Sequence, residues 1–175
     1  MSALTDRRAG FVVFLLAAFA TLMFPGVAGS DPQSNGAVPA FRLRLLDGKL
    51  VRSADLKGRI TVIDFWGTWC RPCLSEIPGY NEFYRDYKDR GVLFIAPALD
   101  SGTEGEVRDA VRKLGIEYPV AVPSLSELDA LGEIQAVPTT WVINKRGELQ
   151  EEFLGTFPGK HRTLRALVDR LIEGR

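Results

Sequence analysis

The feature that most constrains this chain is a pair of cysteines separated by two residues, Cys70 and Cys73, the only cysteines among its 175 residues. An apolar, β-rich run at residues 60–66 leads into the pair, and a helix-like run at residues 74–85 follows it. This order predicts a strand, a tight turn and a helix that starts at the cysteines. A thiol at a helix N-terminus is stabilised as the thiolate, the form that attacks disulfides, by free N–H groups and the helix dipole.

Redox chemistry is the use of the two cysteines that the spacing favours. Cys70 comes first, at or next to the predicted helix cap, so we expect it to be the nucleophile, with Cys73 as the resolving thiol. A purely structural disulfide is the alternative, but it would close almost no loop. Zinc would need two further ligands, and the lone histidine, His161, lies far along the chain, where we expect it to be solvated. Covalent haem would need histidine where Leu74 stands, so we expect no metal and no cofactor.

The first 30 residues indicate export. Arg7 and Arg8 precede an uncharged apolar run of 16 residues, at positions 9–24, and small residues suited to cleavage follow. The run is long for a signal core and short for a membrane span, so residues 1–30 are predicted to be either a signal peptide or an N-terminal membrane anchor. Residues 31–36 are polar and form a predicted linker, and residues 37–175 form the predicted domain.

The rest of the chain predicts an α/β fold. Strands are expected at residues 41–45, 49–51, 60–65, 92–96, 118–122, 140–143 and 149–154, and helices around residues 74–85, 107–114, 126–131 and 164–171. Asp47-Gly48 is a strong hairpin signal between the first two strands. Alternating strands and helices predict a three-layer sandwich with the cysteines at the carboxyl end of a central strand. The formal net charge is zero, with no basic run and no phosphate-binding loop, so we expect no nucleic-acid partner.

Two acidic residues are candidates for proton transfer. Asp64 lies within the apolar strand before the cysteines, where a carboxylate is costly unless it is paired or protonated, so its pKa should be raised. Glu76 follows Cys73 by three residues and shares its helical face. Both have a simpler interpretation, since Asp64 could face solvent at the strand end and Glu76 could be an ordinary surface glutamate.

Together these motifs resemble the TlpA/ResA-like group of exported oxidoreductases in the thioredoxin superfamily. The resemblance rests on residues 39–43, 47–49, 55–58, 65–73, 76–78, 137–140 and 144–147, including Trp-Gly-Thr-Trp-Cys-Arg-Pro-Cys and Val-Pro-Thr-Thr. It implies a thioredoxin fold with a central mixed sheet, an N-terminal β-hairpin extension and a central α/β insertion. It also implies that Cys70 attacks and Cys73 resolves through a redox-active disulfide.

The resemblance further implies which residues surround the cysteines. Pro138 is expected to be cis and to lie against the pair. Asp64 matches the buried acid of ordinary thioredoxins and Glu76 the glutamate of the ResA-like group, which leaves open which of them carries the proton. The residues expected to contact the substrate are Trp69, Arg71, Pro72, Val137 and Pro138. Trp66 is expected in the core.

The resulting functional hypothesis is a thiol–disulfide oxidoreductase on the periplasmic side of a bacterial inner membrane, anchored there or released. We expect a monomer that reduces disulfides in exported proteins, with apocytochrome c as one substrate, and that is re-reduced by a membrane thiol donor. The alternatives are an oxidant that inserts disulfides, and a binding or chaperone module whose disulfide is structural. A peroxidase is disfavoured because a Cys-x-x-Cys replaces the lone peroxidatic cysteine.

Overall fold

The computed structural model describes residues 36–174. The predicted export segment at residues 1–30, and the predicted linker except for Gly36, lie outside the described residues, so these assignments stay predictions. Among the described residues, no helix is both long enough and apolar enough to cross a bilayer.

The described chain is built around a five-stranded mixed sheet, as predicted. The strands are β1 (Arg42–Arg44), β2 (Leu50–Arg52), β3 (Ile60–Phe65), β4 (Val92–Pro97), β5 (Val120–Ala121), β6 (Thr139–Ile143) and β7 (Leu149–Leu154). The helices are α1 (Arg71–Tyr87), α2 (Glu104–Leu114), α3 (Leu125–Leu131) and α4 (Lys160–Glu173). The sheet order is β5-β4-β3-β6-β7, with β3, β4 and β5 parallel and β6 and β7 antiparallel to their neighbours.

The predicted hairpin extension is present. Strands β1 and β2 pair across the Asp47-Gly48 turn, where Gly48 adopts a φ of 88° that favours glycine. Leu45 then pairs with Ala121 of β5, which joins the hairpin to the edge of the main sheet. The predicted strand at residues 118–122 is shorter than expected, because only Val120 and Ala121 pair with β4.

The core has two parts, one on each face of the sheet, which makes the predicted three layers. Helices α1 and α4 cover one face, where Phe94 meets the rings of Tyr80, Phe83 and Tyr118 at centroid distances of 5.3, 5.9 and 4.8 Å. The hairpin and α3 cover the other face. All six residues of β3 are buried, which explains its near-continuous apolar sequence and makes its one acid, Asp64, the exception.

We expect Phe94→Ala to lower the free energy of unfolding by about 3–5 kcal/mol, because removal of a buried ring leaves a cavity among its neighbours. Phe94 is 1% exposed, whereas Leu125 is 80% exposed, so the control variant Leu125→Ala should change stability by less than about 0.5 kcal/mol. Urea unfolding of the oxidised protein measures both values. Equal losses in the two variants would contradict this arrangement.

Candidate active site

The cysteines lie where the central strand gives way to the first helix. Cys70 is the N-cap of α1, and its Sγ accepts a hydrogen bond of 3.2 Å from the backbone N–H of Cys73. The two side chains are buried and joined by a disulfide with an S–S distance of 2.03 Å. Helix α1 starts at Arg71, earlier than the predicted helical run, since Pro72 fits the first turn and Cys70 caps it. The predicted pairing and the predicted position at the helix cap are therefore confirmed.

The turn before the helix places Trp69 at the surface. Its side chain is 59% exposed, and its indole Nε1 donates a hydrogen bond of 3.3 Å to the backbone carbonyl of Leu99. Gly67 allows this arrangement, because a Cβ at that position would lie 2.8 Å from the same Nε1. Trp66 is buried, as expected, and pairs with Ala98 beyond the end of β4. The turn therefore presents one aromatic face to solvent beside the disulfide.

The loop before β6 lies at the same edge of the sheet. Thr139 is the register partner of Phe65, so the preceding Val137 and Pro138 lie level with the turn that leads to the cysteines. The Val137–Pro138 peptide bond is cis, as the resemblance implied. Pro138 is buried and Val137 half-buried.

The predicted substrate contacts share one edge of the sheet. Among them, Arg71 and Pro72 are exposed at the start of α1, beside the exposed Trp69. Contact of a substrate with these side chains and with the Val137–Pro138 loop stays a prediction.

Asp64 is buried behind this edge, so the interpretation that it faces solvent is wrong. Its Oδ1 accepts a 2.8 Å hydrogen bond from the Thr140 hydroxyl, which is also 2.8 Å from the Tyr80 hydroxyl. Burial raises the pKa of Asp64 to about 7, against the opposing effects of the Lys160 charge and the Thr140 hydrogen bond. The carboxyl can therefore gain and lose a proton near neutral pH, as expected.

Glu76 is buried as well, so it is not an ordinary surface glutamate. Its Oε2 accepts a 2.9 Å hydrogen bond from the Lys160 ammonium, and the two side chains are 6% and 1% exposed. Burial raises the pKa of Glu76, and Lys160 opposes that rise through the hydrogen bond and through its charge. Two carboxyl groups of the site thus come from different elements, β3 and α1.

Lys160 is the site residue that sequence reasoning missed. It belongs to the first turn of α4, 84 residues after its partner Glu76, and no local pattern links the two. The available signal was weak. A lysine at the start of a helix is placed where the helix dipole disfavours a cation, which suggests a specific partner.

His161 is not the solvated residue that we expected. Its ring stands edge-on to Tyr80 at a centroid distance of 4.7 Å, and it covers Gly79, where a Cβ would lie 2.7 Å from Nε2. Its Nδ1 is buried and lacks a hydrogen-bond partner within residues 36–174. Burial and the nearby Lys160 charge lower the pKa of His161, so the ring is neutral near pH 7. Packing of α4 against α1 accounts for its burial.

Comparison with known proteins supports the chemistry that this geometry suggests. The model of the AhpC/TSA family matches residues 35–152. The chain is 37% identical over 117 residues to the thiol-disulfide oxidoreductase ResA of Bacillus thuringiensis, covering 67% of each chain. It is 30% identical over 151 residues to the protein of that name from Bacillus subtilis, covering 85% of this chain and 84% of that one.

A solved structure gives the same result for the fold. A thiol:disulfide interchange protein of the thioredoxin family from Chlorobium tepidum TLS superposes with a TM-score of 0.67 at 28% identity, over 78% of this chain and 95% of that one. The predicted thioredoxin fold is therefore confirmed.

The raised pKa of Asp64 predicts a pH-dependent stability. The folded protein binds this proton more tightly than the unfolded chain does, because the pKa is about 7 in the fold against an ordinary value of 3.8. The contribution of Asp64 to the free energy of unfolding should therefore fall by about 4 kcal/mol as pH rises from about 4 to about 7, and stay level above. Glu76, whose pKa burial also raises, adds a slope of the same sign.

The variant Asp64→Asn removes this titration while keeping the size of the side chain. We expect its stability advantage over the wild type to grow by about 4 kcal/mol between about pH 4 and about pH 7. Urea unfolding of the oxidised proteins at several pH values measures the difference. Asp129→Asn, at an exposed position with no side-chain partner within residues 36–174, is the control for the loss of a surface carboxylate. Parallel profiles for Asp64→Asn and the wild type would show that Asp64 does not bind a proton in this range.

Proposed function

Because the chain belongs to the AhpC/TSA family and is a thiol–disulfide oxidoreductase, we propose that its Cys70–Cys73 pair reduces disulfides in exported proteins. The observation that carries the exchange chemistry, whichever its direction, is the position of the disulfide, at the N-terminus of α1, with Cys70 Sγ accepting the backbone N–H of Cys73. That hydrogen bond and the helix dipole favour negative charge on Cys70 once the pair is reduced. Cys70 is therefore the proposed nucleophile.

The proposed reaction has two steps. The Cys70 thiolate attacks one sulfur of the substrate disulfide, forming a mixed disulfide and releasing the other substrate sulfur as a thiolate. Cys73 then loses its proton to a carboxyl of the site, Asp64 or Glu76, and attacks Cys70 Sγ, which releases the second substrate sulfur. The substrate gains two electrons and the Cys70–Cys73 pair loses them. A membrane thiol donor returns the protein to the reduced state.

The reducing direction is proposed from the buried charges of the site, which oppose the Cys70 thiolate that the helix N-terminus favours. When both carboxyls are ionised, Asp64 and Glu76 place two negative charges in the interior, against the one positive charge of Lys160. A net negative interior opposes thiolate formation and so destabilises the reduced form of the pair. Destabilising the reduced form makes a dithiol pair a stronger reductant.

The proposed location and substrate are supported by the sequence. Arg7, Arg8 and the apolar run at residues 9–24 support export, either as a released protein or with a membrane tether. The resemblance to the TlpA/ResA-like group supports cytochrome c maturation, with the haem-site cysteines of an apocytochrome as the substrate. Trp69, Arg71, Pro72 and the Val137–Pro138 loop are the proposed contacts for that substrate, and the proposed state is a monomer.

Trapping experiments test the proposed roles of the cysteines. We expect Cys73→Ser to accumulate a mixed disulfide with insulin or with an oxidised Cys-x-x-Cys-His peptide, because Cys70 can attack but nothing resolves the product. Cys70→Ser should lose at least about 100-fold in the rate of disulfide reduction. Mass spectrometry of the trapped species and insulin turbidity measure the two effects. A Cys70→Ser variant with wild-type activity would instead favour a binding or chaperone module.

The reduction potential tests the proposed direction. We expect a value at or below about −250 mV, on the thioredoxin side of the known scale, from equilibration of the full-length chain with thiol buffers of known potential. A value above about −180 mV, toward the strong oxidants, would favour disulfide insertion instead.

A further inference from the structure

We propose that Lys160 is a positioning residue that keeps Glu76 ionised and thereby leaves Asp64 as the carboxyl that accepts the proton of Cys73. The inference rests on the proposed function, because it assigns roles to groups within that site. It decides between two buried acids, one on β3 and one on α1.

The first argument is the placement of the ammonium group. The Lys160 side chain is 1% exposed, and its Nζ donates to Glu76 Oε2 at 2.9 Å and to the backbone carbonyl of Gly155 at 3.0 Å. The same Nζ lies 5.8 Å from the centroid of the Tyr80 ring. A cation this deeply buried is costly, and an apolar pair of the same size is often as stable as a buried ion pair. Stability alone therefore gives little reason for Lys160.

The second argument is the difference between the two carboxyls. Glu76 accepts a hydrogen bond directly from a cation, which favours its ionised form. Asp64 accepts its hydrogen bond from the neutral hydroxyl of Thr140 and feels Lys160 only through its charge. Ionised Glu76 also repels a second negative charge on Asp64. When the two carboxyls together hold one proton, that proton is therefore bound to Asp64.

The other titratable groups that face this cluster leave the assignment unchanged. Tyr80 on α1 and Tyr118 before β5 have their pKa values raised by burial and by both carboxyls, so they stay protonated. The pKa of His161 on α4 is lowered by burial and by Lys160, so this ring is neutral near pH 7, where Asp64 titrates. The exchangeable proton therefore belongs to one of the two carboxyls.

The consequence is a defined proton balance for the second step of the reaction. The proton of the Cys73 thiol passes to the carboxylate of Asp64, and the Cys73 thiolate forms a bond to Cys70 Sγ while the substrate sulfur leaves with the electron pair. Glu76 stays ionised throughout. It lines a surface cavity of about 420 Å³ together with Lys160, His161 and Arg162.

The test is a carboxyl titration of the oxidised full-length chain, followed by ¹³C NMR of the Asp and Glu side chains. In the wild type we expect Glu76 to titrate at lower pH than Asp64. In Lys160→Met, which keeps the length of the side chain and removes its charge, the Glu76 titration should rise by at least about one pH unit. The control Arg162→Met, which removes an exposed charge from the rim of the same cavity, should leave both titrations unchanged.

Two results would overturn the inference. One is a Glu76 titration in folded Lys160→Met that coincides with the wild type, and the other is a wild-type Glu76 that titrates at or above Asp64. If Lys160→Met does not fold, Lys160→Gln, which removes the charge and keeps a polar end, replaces it. The Glu76 titration should again rise by at least about one pH unit, and coincidence with the wild type would overturn the inference.

An activity measurement separates this inference from the proposed function. The pH profile of insulin reduction should follow the NMR titration of Asp64, and not that of Glu76, in both the wild type and Lys160→Met. If the wild-type chain does not reduce insulin but shows the expected titrations, the proposed function is wrong, while the conclusion that Lys160 keeps Glu76 ionised still holds. If the wild type is active but Lys160→Met changes neither the titrations nor the pH profile, the inference about Lys160 is wrong and the proposed function stands.

Discussion

The site depends on the pairing of β3 with a neighbour on each side. The strand hydrogen-bonds in parallel to β4 and antiparallel to β6, and each neighbour delivers part of the site at the same edge of the sheet. Beyond β4, the Leu99 carbonyl accepts the Trp69 indole N–H, and Ser101 Oγ accepts the backbone N–H of Thr68. From β6 comes Thr140, whose hydroxyl binds Asp64. The geometry around the cysteines is thus held by sheet pairing together with hydrogen bonds to the loop after β4.

Burial sets the chemistry of the charged groups behind this edge. Asp64, Glu76 and Lys160 are all nearly inaccessible to solvent, so their mutual interactions are screened less than those of surface ion pairs. A surface pair such as Arg85 with Glu117 contributes little to stability by comparison. The interior trio is therefore the part of the molecule where a change of one charge alters the protonation of another.

Local sequence predicts the parts of the fold whose causes are local. The apolar run of β3, the Asp47-Gly48 turn and the helix start at the cysteines follow from periodicity, turn chemistry and capping. The burial of Asp64 was also predictable, because a side chain in the middle of a strand that is apolar on both faces lies inside the core. The cis bond before Pro138 was expected only from the family resemblance, because only a few per cent of X–Pro bonds in folded proteins are cis. Lys160 and His161 could not be placed, because their partners on α1 are distant in sequence and depend on how α4 packs.

The sequence separation within the site means that its parts are synthesised at different times. Strand β3, the cysteines and Glu76 are synthesised well before α4, which carries Lys160 in its first turn. A chain made from its N-terminus can therefore bring Cys70 and Cys73 together through local contacts while Glu76 still has no buried cation beside it. The thiol pair acquires its final proton environment only when the last helix docks. Completion of the fold and maturation of the redox site are in this sense the same event.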